Sequence, residues 1–391
     1  MIPYGRQNIS PEDIRAVDEV LSSPYLTQGP VVRQFEAALE AYVGCSKAVV
    51  TNSATSALHL ACLALGVGPK DLVWTSAISF VASANAARYC GADVDFVDIE
   101  PDTFNMSVAA LEQKLVAARK SGQKLPKVLI PVAMAGQSAD MKEISALAVE
   151  YGFKILEDAS HALGATYRGS KLGACAYSDI TVFSFHPVKM ITTGEGGACT
   201  TNNLELGAKI ERLRSHGITR EVSEMESPRA IPYYYEQLDL GFNYRMTDFQ
   251  AALGISQLKR IDAFVDERNR VASHYSSVLD LSWCLLPEIS DTCTSSFHLY
   301  VVRITKDAPR TRDKIFEAMR TDGILVNLHY IPIYRHPYYA RMGKYDPESF
   351  PCAEEYFSQA ISLPIFPGIT TGEVETIASR LVEGIGHQTI F

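Results

Sequence analysis

Hydrophobic and polar positions alternate along this chain in two rhythms. The stretches KAVVTNS (47–53), LVWTSAISF (72–80), ADVDFVDIE (92–100), KVLIPVAMAG (127–136), FKILEDAS (153–160), DITVFSF (179–185) and GGACTTN (196–202) are short, and several are rich in Val and Ile and apolar throughout. That pattern reads as strands of a sheet buried on both faces rather than one. Between the earlier strands lie segments of helical period: TSALHLACLAL (55–65), VASANAARYCG (81–91), MSVAALEQKLVAARKSG (106–122) and MKEISALAVEYG (141–152). A first helix is expected at Ser10, where Ser10 can cap, Pro11 suits the first turn and Asp13 sits at the capping-box position. The alternation predicts an α/β domain with a mainly parallel, seven-stranded sheet. From Thr247 one long helical stretch leads into SFHLYVVRI (296–304) and DKIFEAMRTDG (313–323), which suggest a smaller α+β unit. The expected division is 1–255 and 256–391.

Composition narrows the class. Of 391 residues, 47% are apolar and 21% charged, enough for a large core and too few charges for a disordered chain. The formal net charge of −9 makes nucleic acid or an anionic membrane a poor main partner. No run of about eighteen apolar residues occurs and the first residues lack an apolar export signal, so a cytoplasmic protein is expected. Eight cysteines are scattered without a CxxC pair, which suits a reducing compartment and gives no metal or iron–sulfur spacing.

Four segments carry candidate chemistry, and most follow a strand, where ligands gather in α/β sheets. TNSATSALHLA (51–61) turns from a strand into a helix, so the N–H groups of Ala54, Thr55 and Ser56 could hold a phosphate. By itself this is an ordinary capped turn, and no GxGxxG or Walker lysine accompanies it. Glu157 and Asp158 close an apolar strand; one carboxylate could cap a turn, or Asp158 could be buried against a cation. Phe80 ends a strand and could pack in the core or cover a flat ring. In VFSFHPVKMITTGEGG (182–197), Ser184, His186 and Lys189 end another strand. A lysine there could simply be solvated. Together the four segments supply a phosphate cradle, a carboxylate, an aromatic face and an amine, which is the set needed to hold pyridoxal 5′-phosphate.

The motifs LTQGPVVRQFE (26–36), TNSATSALHLA, ISFVASANA (78–86), EDASHALGA (157–165), FSFHPVKMITTGEGG (183–197), LRSHGITR (213–220), GFNYRMTDFQAALG (241–254) and LHYIPIY (328–334) occur in one order over essentially the whole chain. In this the sequence resembles the DegT/DnrJ/EryC1/StrS sugar-nucleotide aminotransferases. The resemblance implies the fold-type I pyridoxal-phosphate architecture. It implies that Lys189 bonds the cofactor's aldehyde, Asp158 pairs with the ring nitrogen, Phe80 stacks on the ring and His161 lies near the phenolic oxygen, where many members have Gln. It gives Ala54, Thr55, Ser56 and Ser184 to the phosphate. Asn243 would be donated to the neighbouring subunit, so a homodimer with shared sites is expected. Tyr4, Pro24, Tyr25, Leu26, Thr27, His329, Tyr330, Ile331 and Pro332 would line the site of a UDP-linked sugar. L-Glutamate is the expected amino donor, with pyridoxamine phosphate as the cofactor's alternate form. Related dehydratases carry His at the lysine position, and a non-catalytic relative would be expected to lose Lys189 or Asp158; both residues are present.

Overall fold

The structure, a computed structural model, describes residues 1–227, 229, 231–279 and 282–386. Its main sheet contains β1 (Lys47–Thr51), β2 (Leu72–Ser76), β3 (Asp93–Val97), β4 (Val128–Ile130), β5 (Lys154–Asp158), β6 (Ile180–Ser184) and β7 (Gly197–Thr201). The spatial order is β1-β7-β6-β5-β4-β2-β3. All pairs are parallel except those of β7, which runs antiparallel to β1 and β6. The exception has a local cause. A parallel neighbour needs a long crossover, whereas the chain after β6 turns back at Gly194, at φ +77, and Phe185 N–H donates to Gly196 O at 2.9 Å.

The unbroken apolar strands are explained by two cores, one on each face. Val49, Leu156 and Val182 face one cluster with α3 (Ala54–Ala64), α4 (Ala82–Tyr89) and α7 (Leu204–Arg214). Their neighbours Val50, Ile155 and Phe183 face the other, with α2 (Pro30–Val43), α5 (Val108–Ser121), α6 (Met141–Tyr151) and α8 (Asp248–Leu258). The first helix, α1 (Pro11–Leu21), has the expected capping box: Ser10 N–H donates to Asp13 Oδ2 at 2.8 Å and Asp13 N–H to Ser10 Oγ at 3.3 Å. Helix α2 is capped differently. Gly29 offers no side chain, and Asp248 accepts instead from the N–H groups of Gly29, Val31 and Val32 at 2.8, 2.9 and 3.3 Å.

The long helical stretch from Thr247 is two helices, α8 and α9 (Ile261–Val278), broken at Lys259–Arg260. The second unit adds α10 (Arg312–Thr321), α11 (Pro351–Gln359), α12 (Thr371–Ile385) and an antiparallel sheet of β8 (Cys284–Leu285), β9 (Tyr300–Ile304) and β10 (Ala360–Leu363). It has its own core around Tyr275, Val302, Met319, Ile361 and Leu381. A border at 255/256 would cut α8, so we propose the break at Lys259 instead. The first residues belong with this second unit, since Ile2 and Pro3 pair with Ile324 and Leu325. Asp98 joins the two bodies by accepting from Cys352 and Ala353 N–H at 3.0 and 2.9 Å, at the start of α11.

Candidate active site

A cavity of about 540 Å³ opens at the carboxyl ends of β5 and β6, between the large sheet and the second unit. Its lining includes Tyr4, Ala54, Thr55, Phe80, Asp158, His161, Ser184, His186, Lys189, His329 and Tyr330. Strand direction brings the large-sheet members together, because parallel strands end their loops on one edge.

Helix α3 begins at this edge. Ser53 is its N-cap and accepts from Ser56 N–H at 3.1 Å. That bond corrects one expectation: the Ser56 N–H is taken by the cap, and the Ser56 hydroxyl, buried, donates to Asn52 at 2.7 Å. Ser56 shapes the turn, while Ala54 and Thr55 reach the cavity. The turn fits only because Gly197 lies beneath it. A Cβ there would stand 2.5 Å from Ala54 N and 2.6 Å from Ala54 Cα.

Asp158 is buried and accepts three hydrogen bonds, from Ser83 Oγ at 2.7 Å, Ser160 Oγ at 2.6 Å and Ser160 N–H at 3.1 Å. Ser83 sits in the first turn of α4, three residues after Phe80, and Ser79 Oγ is 2.8 Å from Ser83 Oγ. Phe80 is 56% exposed and 6.0 Å from the Tyr330 ring, so an aromatic face is left open where it enters the cavity. His161 Nε2 is 3.0 Å from Tyr330 OH, and its buried Nδ1 has no partner among the described residues.

Lys189 follows the turn in which its N–H donates to His186 O at 2.9 Å. Crowding by protein atoms pushes its amine down from 10.5 to about 8, with Asp158 opposing the shift. The surrounding histidines are neutral for the same reason. Burial first, then the charge of Lys189, holds His161 well below its ordinary value and His329 down at about 3. His329 Nδ1 is 2.8 Å from Ser362 Oγ. Among the described residues lining the cavity, Lys189 is the only lysine or arginine.

Several expected residues lie elsewhere. Pro24, Tyr25, Leu26 and Thr27 are exposed and outside this cavity. Thr27 forms a bridge with Thr247, so the segment lies beside the loop that carries Asn243. Asn243 is also exposed and outside the cavity, held in a bridge with Ser215. Ile331 and Pro332 do not line it either. Sequence reasoning missed His298, whose buried ring lies 4.5 Å from that of His161 and lines the cavity. It also missed Ser83 and Ser160. Ser160 was legible as the second residue after an aspartate, an arrangement that favours such a bond; nothing in the linear sequence pointed to His298.

The residues fit pyridoxal phosphate on observations of this structure. A helix N-terminus is kept open by a glycine, a buried carboxylate is fixed by neutral hydroxyls, and a buried imidazole nitrogen and an amine with lowered proton affinity face one space. A pocket of this size suits a small organic ligand.

Comparison with known proteins gives the same picture over nearly the whole length. Residues 7–382 match the model of the DegT/DnrJ/EryC1/StrS aminotransferase family. The UDP-4-amino-4,6-dideoxy-N-acetyl-beta-L-altrosamine transaminase of Campylobacter jejuni is 39% identical over 366 residues, 93% of this chain and 92% of that one. GDP-perosamine synthase of Caulobacter vibrioides is 36% identical over 355 residues, 90% of each. The solved structure of Helicobacter pylori PseC, an aminotransferase involved in the biosynthesis of pseudoaminic acid, superposes with a TM-score of 0.89 at 32% identity, covering 98% of this chain and 99% of that one.

Proposed function

Because this chain belongs to the DegT/DnrJ/EryC1/StrS aminotransferase family and is a pyridoxal-phosphate-dependent sugar-nucleotide aminotransferase, we propose that it moves the amino group of L-glutamate to C4 of a UDP-linked 4-keto-6-deoxy-N-acetylhexosamine. The product would be UDP-4-amino-4,6-dideoxy-N-acetyl-β-L-altrosamine, and pyridoxamine phosphate would be the cofactor's alternate form. The observation that carries the reading is the Lys189 amine, pushed to about 8 in one cavity with Asp158 and the start of α3. The relatives named for UDP-altrosamine and for pseudoaminic acid support the sugar. The likeness to a GDP-perosamine enzyme makes the nucleotide the point to test.

When bound, pyridoxal phosphate supplies an electron-poor ring that stores the electron pair released from the donor's α-carbon. Ala54 and Thr55 at the start of α3, with Ser184, would hold its phosphate. Asp158 would hold the ring nitrogen's proton, and Phe80 would cover one ring face. Lys189 Nζ has to be unprotonated to take a proton from the α-carbon, and its lowered proton affinity gives it a usable neutral fraction near pH 8. In the sugar half the same nitrogen returns a proton to C4. Tyr4, His329 and Tyr330 also line the cavity, and the sugar would lie against them.

We read the site as shared between two copies. A nucleotide diphosphate and a phosphorylated cofactor bring several negative charges, yet Lys189 is the only cation on the cavity wall among the described residues. Thr27 and Asn243 lie together on another face, beside a second cavity lined by Arg220 and Arg245. A second copy presenting that face would supply both Asn243 and positive charge. The cytoplasm, where nucleotide sugars are made, is the proposed location; no helix among the described residues is long and apolar enough to cross a membrane.

Two measurements test this. A panel of UDP- and GDP-linked 4-keto-6-deoxy sugars is incubated with glutamate, and 2-oxoglutarate is measured. The UDP-linked N-acetylated sugar should react fastest; no turnover with any member would sink the reading. Mixing refolded Lys189→Ala and Asn243→Ala variants should restore up to about a quarter of wild-type activity if the sites are shared, and none if they are not.

A further inference from the structure

Two carboxyl groups close β5, and only one belongs to the cavity. Successive strand residues face opposite sides, so Asp158 points to the cavity edge with Leu156, and Glu157 lies on the far face with Ile155. Their surroundings differ sharply. Asp158 receives three donors. Glu157, 6% exposed, receives one among the described residues: Thr181 Oγ1, its register partner on β6, donates to Oε2 at 2.9 Å. No cation among the described residues compensates it. Lys171, on the wall of the same small cavity, is paired with Asp262 at 3.3 Å and lies 3.4 Å over the Tyr42 ring. The other titratable groups on that wall are Tyr167, Cys175 and Tyr177, all neutral when protonated; Asp140, before α6, is occupied by the Tyr167 hydroxyl. The cavity, about 20 Å³, has room for roughly one water through which a proton could exchange.

We propose that Glu157 is a positioning residue for the charge of Asp158: a protonated acid on the far face of the same strand, which leaves Asp158 as the single carboxylate charge of β5 and adds a second when it ionises; the other carboxyl on the cavity wall, Glu195, is exposed and lies on the turn before β7. A buried, uncompensated carboxylate is costly, and a like charge beside it adds to the cost. Burial, with the charge of Asp158 as a smaller contribution, pushes Glu157 up to about 7 against the opposing Thr181 bond. The acid is therefore protonated below that pH and charged above it. A second negative charge behind Asp158 favours protons on whatever Asp158 and Lys189 face, so the electronic state of the bound cofactor should change as pH rises through about 7. The proposal rests on the reading of Asp158 as the partner of the cofactor's ring nitrogen.

The test uses wild type, Glu157→Gln and Asp158→Asn, each loaded with pyridoxal phosphate, with absorption spectra recorded from about pH 5.5 to 9. Wild type should show a spectral change centred near pH 7. Glu157→Gln, neutral at every pH and of the same shape, should lose that change, and Asp158→Asn should have a different spectrum throughout. If Glu157→Gln keeps the same inflection while Asp158→Asn differs, the role of Glu157 is overturned and that of Asp158 stands. If Asp158→Asn matches wild type, the reading of Asp158 itself fails. Should Glu157→Gln not fold, infrared titration of wild type decides: a buried carboxylic-acid band lost around pH 7 supports the proposal, and its absence at pH 6 overturns it.

Discussion

Replacing Lys189 by methionine should stabilise the cofactor-free protein while abolishing transamination. The amine falls from 10.5 to about 8 on folding because burial disfavours its charged form. Each unit of such a shift is worth about 1.4 kcal/mol, so the charged lysine costs the empty fold about 3.5 kcal/mol before screening. Water in the open cavity screens part of this, which leaves about 2–3 kcal/mol. The sign follows from proton counting. Below pH 8 both folded and unfolded chains hold the proton and the whole cost is present. Between about 8 and 10.5 only the unfolded chain holds it, so stability rises with pH and the cost fades. Methionine, of similar length and uncharged, removes the cost at every pH. The assay is equilibrium urea unfolding of both proteins, stripped of cofactor, at pH 7 and near pH 10. At pH 7 the variant's midpoint should lie higher by roughly 0.5–1 M, and the gap should close toward pH 10. A variant no more stable than wild type at pH 7, or a gap that does not shrink, would refute the claim that Lys189 is held against its preferred charge.

Gly197→Ala should weaken pyridoxal-phosphate binding tenfold or more and cost about 1–3 kcal/mol of stability, because the added methyl meets the backbone of Ala54 rather than a movable side chain; cofactor titration by absorbance, with unfolding of the apo form, measures both. Asp98→Ala should destabilise by about 1–3 kcal/mol through loss of the two N–H partners at the start of α11, and Asp98→Asn should recover part of it, as read by urea unfolding. An Asp98→Ala variant as stable as wild type would show that this junction contributes little.

The sheet side of the cavity was readable in the sequence because its residues end a strand or follow one closely: Asp158 and Ser184 are the last residues of β5 and β6, while Phe80 and Lys189 lie four and five residues beyond Ser76 and Ser184. The runs ending at Thr51, Asp158 and Ser184 have consecutive apolar residues at their centres, such as Ala48–Val50 and Ile155–Leu156, which places them in a sheet covered on both faces, and parallel strands deliver their last residues to one edge. Lys189 and its glycine-rich turn were legible too, since reversing the chain into β7 requires a backbone that glycine adopts without strain. Ser83 and His298 were not legible. Ser83 acts through a carboxylate 75 residues away, and His298 reaches His161 only because the second unit folds back on the sheet.

The same distinction separates local chemistry from placement. Capping at Ser10 and at Ser53 and the adjacent carboxyls Glu157 and Asp158 are set by residues within a few positions of one another, so the sequence by itself determined them. Which of those two carboxyls faces the cavity follows from strand alternation once β5 is seated in the sheet, and hydroxyls from α4 and β6 then give each its partner. The exposure of Thr27 and Asn243 together, and the cap that Asp248 provides for α2, depend on packing across more than 200 residues. Side-chain spacing encodes a face and a period, but only the packed chain decides which faces meet.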